Sequence, residues 1–563
     1  MLRKPLVFLV AIFLLGAVLR FYNLGEVPSG FHRDEAFLGY NGYSILKTGR
    51  SMSGELLPLH LKSFIYSPAG YSYFSVPFLF FFGLNPFAAR LPSAFFGSLT
   101  IIITYLLVKK LFDKEKYKES LALFSSFFLA ISPWHINLSR LATESVLVVF
   151  FLILGLYFYF FWREGKKNYF LLLSFLSWAL TLTFYQAPRS FLPLFVPLLL
   201  LFTFGIKKIF TTKALKAWGL YFLLIVLPVV LVLLSPKLSL RVKTVSLFAS
   251  PENKLVIEQM IREDGVRGVR GVPTRFSHNK PLAYLTQFSE NYFAHFSYPF
   301  LFTDQGLPDR YRVPLSGLLY LFEIPLILIG GFYLLTKNDA RTKVIFAWIL
   351  LVPIGSALAF DDVPNLQRTL IFFPFLSVLS ALGVVRALGF LKKKKKSLSL
   401  LLLFISVLVI LFSVSFYLHQ YYIHLPLYRP WYRHDGYEQL VWEVNKLLKT
   451  DQFDQTLVTN FESAPTIFFL FFGHYDPKTF QDETKNYQSL DFDRVDFGSY
   501  QFTTEKCPLG LSEQKEEMSL TAKNEKTLYV NSSFCDLIEE TELIKEVQRR
   551  DGSRVFQIVK LAQ

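Results

Sequence analysis

The chain has 563 residues, of which 52% are hydrophobic, 17% aromatic and only 18% charged, with 62 Phe and a formal net charge of +16. So much apolar sequence excludes a soluble globular protein and indicates a polytopic α-helical membrane protein. The positive charge does not indicate nucleic acid, because Lys and Arg fall in short clusters between apolar runs, as topological anchors do.

The first apolar run, residues 5–21, follows Arg3 and Lys4, which place the N-terminus in the cytoplasm. Val18-Leu19-Arg20 is not a small-residue cleavage site, so this run is expected to stay as a helix. An outer loop follows over 22–87 and carries His32-Arg33-Asp34-Glu35-Ala36. Within it, residues 71–82 are apolar but too short to span, and are expected to lie in the interface or re-enter it.

Further spans are expected at 88–108, 121–136, 146–162, 169–185, 191–204, 218–234, 315–335, 344–360, 370–390 and 398–417, about 11 in all. A long outer loop separates two of them at 235–313. Basic clusters such as Lys109-Lys110, Lys166-Lys167, Lys207-Lys208 and Lys392 to Lys396 then all face the cytoplasm, as the positive-inside rule requires. The expected division is a multi-span domain over 1–418 and an exported soluble domain over 419–563, periplasmic or extracellular, on a protein of the inner (plasma) membrane.

The tail reads as a small α/β domain. Residues 437–448 have helical spacing, 456–459 are strand-like, 465–472 form a second helix, and 547–556 read as a hairpin on the Asp551-Gly552 turn. Its two cysteines, Cys507 and Cys535, have no metal-ligand spacing and are candidates for a disulfide in an oxidising compartment.

Charged groups near hydrocarbon are costly and are kept mainly for function. The short cytoplasmic loops hold mostly lysine, whereas the outer loops hold His32, Asp34, Glu35, Arg140, Glu144, Arg189, His278, Lys280, His295, Arg310, Arg312, Asp361, Asp362 and Arg368. Chemistry is therefore expected on the outer side. ATP is absent outside a bacterial inner membrane, so the donor must arrive activated, and a sugar on a lipid phosphate fits. Such transfer needs a general base for the acceptor hydroxyl and cations for the departing phosphate. Asp34 is the candidate base, with Glu35 and Glu144 as further catalytic carboxylates. His32, Arg140, Arg189, Lys280 and Arg368 are candidates for substrate binding, and arginine suits phosphate because its planar donors match phosphate oxygens. The acids leave a divalent metal open, and no other cofactor is indicated. A lipid-linked sugar flippase is the competing reading. It calls for acids inside the spans, where Glu323 is the main example.

The His32–Ala36 stretch after the first span resembles the acidic first-loop motif of glycosyltransferase family 39, which includes protein O-mannosyltransferases and lipid A aminoarabinose transferases. Ser67-Pro68-Ala69-Gly70-Tyr71, the run from Phe82 to Ala94, Ser132-Pro133-Trp134-His135 and Ser139-Arg140-Leu141-Ala142-Thr143-Glu144 are similar to later stretches of that family. The resemblance implies a C-type glycosyltransferase fold, a polyprenyl-phosphate sugar donor, inversion at the anomeric carbon, and a glycan, lipid or protein acceptor. It matches Asp34 to the essential first-loop aspartate and Glu144 to a second-loop acid that is often aspartate. Where the aminoarabinose enzymes carry lysine before the proline, this chain has Ser67, so phosphate binding passes to another cation such as Arg189.

Overall fold

The computed structural model describes residues 3–62, 66–269, 271–450, 452–487, 494–510 and 525–562. It shows a multi-span membrane protein. Among the described residues eight helices are long and apolar enough to cross a bilayer, or nine if one bent pair is counted as a span.

Helix α1 (Arg3–Phe21) is followed by α2 (Arg33–Thr48), a helix inside the first loop that the apolar pattern does not announce. A two-stranded ribbon, β1 (His60–Leu61) with β2 (Ser67–Pro68), leads into α3 (Gly70–Phe82). At 13 residues α3 is the short apolar helix expected from the sequence. Next come α4 (Pro86–Leu111), α5 (Lys118–Ile131), α6 (Pro133–Ser139), α7 (Glu144–Arg163), α8 (Tyr169–Thr181) and α9 (Ala187–Phe204).

Local chemistry sets these boundaries. Asn85 caps α4 by accepting from the Ala88 N–H at 2.9 Å, with Pro86 at the first helical position. Pro133 cannot continue α5 and leaves Ser132 extended, so the predicted span 121–136 becomes a pair bent by 56°.

Eleven spans were expected, and two of them, 169–185 and 315–335, are shorter as helices. Tyr169–Thr181 and Glu323–Leu335 have 13 residues each, a rise of about 20 Å against a hydrocarbon core of about 30 Å. The turns after Thr181 and before Glu323, at 182–186 and 316–320, are buried or half-buried against protein, which is where irregular backbone is tolerated at membrane depth. Glu323–Leu335 packs closely on Phe373–Leu391. A Cβ on Gly330 would strike the Leu379 carbonyl, and one on Gly383 would strike Leu326. Small residues are what permit two membrane helices to approach this closely.

The long loop carries several helices, including Pro251–Val266 and Lys280–Ala294. The last span runs from Lys396 through His424. Beyond it lies a five-stranded sheet with Gln455–Thr459 between Tyr500–Thr503 and Thr527–Ser532, all parallel, extended by the antiparallel pair Arg554–Leu561 and Thr541–Gln548. Helices Tyr437–Leu448 and Thr466–Phe472 accompany it, and Gly552 turns the hairpin at φ +83°. The α/β tail read from the sequence is present.

That domain sits directly on α2. Phe471 fills the space a Cβ on Gly39 would need. Tyr40 donates to the Tyr475 carbonyl at 3.0 Å, and Gln481 donates to Ser44, Thr48 and the Ser51 carbonyl.

Cys507 and Cys535 form a disulfide that closes a loop with a sequence separation of 28. Such a cross-link stabilises by about 3 kcal/mol. Maleimide is therefore expected to label neither cysteine before reduction and both after it, with a drop in the thermal midpoint. Two reactive thiols in the unreduced protein would contradict the bond.

Candidate active site

The first turn of α2 sends its two acids in different directions. His32 is the N-cap, its side chain accepting from the Asp34 N–H at 3.2 Å, while Glu35 accepts from the His32 N–H in a capping box. Glu35 is buried. Arg90 Nε donates to its Oε1 at 3.0 Å and Nη2 to its Oε2 at 3.2 Å, and the Ala142 N–H adds a bond of 2.8 Å. Arg90 also holds the Leu24, Pro28 and Gly30 carbonyls. The Glu35 carboxylate thus ties α2 to α4 and to the loop before α7, a joining role where the sequence suggested a catalytic one.

Asp34, one residue earlier, has a side chain 62% exposed, and the space it faces is a cavity of about 410 Å³. Glu144, at the head of α7, lines the same cavity, as do His32, Arg310, Asp361, Asp362 and Arg368. Desolvation by the surrounding cavity wall would by itself raise the Asp34 pKa. The neighbouring His32 imidazole, 3.3 Å from Oδ2, with Arg310 and Arg33, outweighs that and holds the carboxyl well below the usual carboxylate range.

The proline-broken turn α6 assembles this site. Trp134 Nε1 donates to the Leu366 carbonyl at 3.0 Å, and Asn137 Nδ2 donates to the Tyr311 carbonyl at 2.8 Å. One short segment therefore fixes both distant loops, 309–313 and 361–368, above α2. Within them Arg310 pairs with Asp362 at 3.0 Å and Arg368 with Asp361 at 3.2 Å.

A second cavity of about 430 Å³ adjoins the first and shares Tyr185, Val245 and Arg368 with it. Its other walls are mainly apolar, including Val229, Val232, Leu233, Val242 and Leu358. Arg189 lines this second cavity and donates to the Leu182 carbonyl at 3.0 Å and to His60 Nε2 at 3.0 Å. Burial, then the Arg189 charge, lowers the His60 pKa to about 4, so that its Nε2 lone pair stays free to accept.

The remaining candidates lie elsewhere. Arg140 is buried, donates to the Leu19, Asn23 and Val27 carbonyls, faces the Tyr421 and Tyr422 rings, and lines neither cavity. Lys280 is exposed at the start of its helix, away from both cavities. Their spacing put them in outer loops, but packing directed one into a backbone clamp and the other to the surface. Glu323, the acid that favoured a flippase, is buried with its oxygens accepting from the Tyr320 N–H and the Ser380 hydroxyl, and it too lines neither cavity.

Arg310, Asp361 and Asp362 are the principal cavity-lining residues not singled out from the sequence, and the C-terminal His434 stands behind them against His32. The first three stood among the outer-loop charges, and nothing local distinguished them from surface residues. His434 has φ +55° and its ring lies 4.8 Å from that of His32. Burial, then the charges of His32 and Arg33, hold it well below its ordinary pKa. Among the described residues no group of three or more His, Cys, Asp or Glu is placed to hold a metal ion.

The fold has known counterparts. Residues 67–232 match the family described as dolichyl-phosphate-mannose-protein mannosyltransferase. ArnT from Cupriavidus metallidurans bound to undecaprenyl phosphate aligns over 99% of this chain and 98% of its own, with a TM-score of 0.52 and 14% identity. The protein has the C-type glycosyltransferase fold.

The Archaeoglobus fulgidus oligosaccharyltransferase AglB, in complex with an inhibitory peptide and a dolichol-phosphate, aligns over 94% of this chain and 69% of its own, at TM-score 0.51 and 14% identity. Its form tethered to an acceptor peptide aligns over 84% of this chain, at TM-score 0.51 and 14% identity, and the chain spans 63% of that protein's length. No curated protein matches the chain. The resemblance to family 39 read from the motifs agrees with the family match over residues 67–232, and the structural alignments show the shared fold over most of the chain.

Proposed function

We propose that the protein is a membrane glycosyltransferase that moves a sugar from a polyprenyl phosphate to an acceptor hydroxyl on the outer side of the membrane. The observation that carries this reading is the pairing of two adjoining cavities. One is polar and holds Asp34, Glu144 and Arg310, the other is apolar, and Arg368 stands in the wall between them. A lipid phosphate fits this arrangement, with its prenyl chain against Val229 to Leu233, its phosphate between Arg368, Arg189 and Arg310, and its sugar beside Asp34. The C-type neighbours that carry dolichol-phosphate and undecaprenyl phosphate support a lipid-phosphate donor.

In the proposed reaction the acceptor oxygen attacks the anomeric carbon, the bond from that carbon to the phosphate oxygen breaks, and the acceptor proton passes to Asp34. A single displacement inverts the anomeric centre. The phosphate leaves as an anion and needs no proton, so cations serve where an acid otherwise would. Glu144, which lines the same cavity, orients the acceptor. With its pKa depressed, Asp34 is ionised in the resting site. Arrival of an anionic phosphate beside Arg310 offsets the charge that depresses it, and makes the carboxylate a stronger base when the donor is in place. The acceptor is a glycan, a lipid or a protein.

Purified protein incubated with a panel of polyprenyl-phosphate sugars is expected to release free polyprenyl phosphate from one of them. No binding and no release across the panel would overturn the reading.

Arg310→Ala has two expected effects. Loss of one charged hydrogen bond, worth about 1.5–3 kcal/mol, weakens donor binding by roughly 10- to 100-fold. Loss of the cation also raises the Asp34 pKa, so the acid limb of the pH–rate profile moves to higher pH. The sign follows because the base must be ionised, and activity falls as pH drops through its pKa. An unshifted acid limb with unchanged donor affinity would remove Arg310 from the site.

A further inference from the structure

The C-terminal domain carries a third cavity, of about 580 Å³, lined by Trp431, Glu462, Ser533, Phe534, Arg549, Ser553 and Arg554. Its walls are aromatic faces open to solvent, with Trp431 45%, Phe534 60% and the adjacent Phe461 42% exposed. Large aromatic rings left in water mark contact surfaces. Phe461 and Phe534 meet edge to face at 6.4 Å, which leaves flat surface available. The charged groups lie lower in the site. Arg549 Nη2 donates to Glu462 Oε2 at 2.7 Å, and their side chains are only 9% and 16% exposed. Arg549 Nη1 donates to the Arg554 carbonyl at 3.0 Å, while its Nε is buried with no hydrogen-bond partner among the described residues.

We infer that this cavity is a saccharide-binding subsite of the C-terminal domain, separate from the transfer site. A pyranose ring has an apolar C–H face and a rim of hydroxyls, and so needs an aromatic platform next to a carboxylate and a guanidinium. Trp431 or Phe534 supplies the platform, and Glu462 with Arg549 supplies the polar edge. The opposed charges of that pair suit a neutral sugar and give no preference to an anion. A link to catalysis is built into the chain, because Trp431 and Arg433 share the short turn Pro430–Arg433, and Arg433 lines the catalytic cavity. A saccharide held at Trp431 thus bears on the same turn that walls the transfer site.

Saturation-transfer NMR on the full-length protein in detergent tests this with maltohexaose, chitohexaose and mannohexaose as probes, and a Ser/Thr-rich dodecapeptide as the competing class. At least one hexasaccharide is expected to bind. Trp431→Ala and Phe534→Ala each are expected to weaken it by about tenfold, the scale of a lost aromatic contact. Because binding is read directly, the result does not depend on whether the protein transfers sugar. Saccharide binding unchanged in both variants, no saccharide binding at millimolar probe, or Trp431-dependent binding of the peptide alone would overturn the proposal.

Discussion

Asp34→Asn is expected to lower the transfer rate by about 10²- to 10⁴-fold, the usual contribution of a positioned general base, while the protein folds and still binds donor. The side chain projects into the cavity and is 62% exposed, so the isosteric amide loses mainly the charge that faces His32 and Arg310. The capping bond from the His32 backbone N–H to Glu35 is kept, because it does not involve the Asp34 carboxylate. A steady-state assay with release of polyprenyl phosphate as readout measures the rate, and the thermal midpoint in detergent reports the fold. Full activity in Asp34→Asn would eliminate the proposed base. Loss of activity together with the fold would instead give Asp34 a structural role.

Arg90→Ala is expected to do the reverse and act first on stability. Glu35 sits in a buried ion pair with Arg90, whose side chain is fully buried while that of Glu35 is 6% exposed. Removing the guanidinium strands a buried carboxylate and costs about 3–5 kcal/mol. The same change frees the Leu24, Pro28 and Gly30 carbonyls that Arg90 holds. The double change Arg90→Met with Glu35→Gln removes the stranded charge and is expected to recover part of the loss, but not all, because those carbonyls remain unsatisfied. Thermal unfolding of the three proteins provides the test. A midpoint in Arg90→Ala equal to that of the parent would show that the pair is not structural.

The contrast between Asp34 and Glu35 marks where sequence reading stops. Both are acids in one motif at the edge of the first span, and both satisfy the rule that charge near lipid is retained for a reason. Their adjacency places them about 100° apart on a helix, so that Asp34 projects into the cavity while Glu35, at the cavity's edge, is drawn into its ion pair with Arg90 on α4. Nothing in the motif says which is which until α4 is in place. Arg140 and Lys280 show the same limit, since an outer-loop cation can bind a ligand, clamp backbone or face water, and the three are alike in one dimension. Arg310, Asp361 and Asp362 are the converse. They looked like ordinary loop charges and became site residues only when α6 drew their loops together. His434 was further from view, because it belongs to another part of the chain and approaches His32 only through docking of the C-terminal domain on α2.

By itself the sequence determined the class of the protein, the placement of the apolar helices, the acidic first-loop motif, the α/β tail and the likeness to family 39. The likeness rests on the resemblance of short motifs, and the others rest on local composition, periodicity or capping, which act over a few residues. Tertiary structure decided which charges share a cavity, which acid is buried, and where the apolar cavity meets the polar one. Those outcomes depend on how helices pack and on bonds such as Trp134 to Leu366, 232 residues apart in the chain. Hydrophobic patterning encodes that a helix is buried, but not which loop it will be buried against.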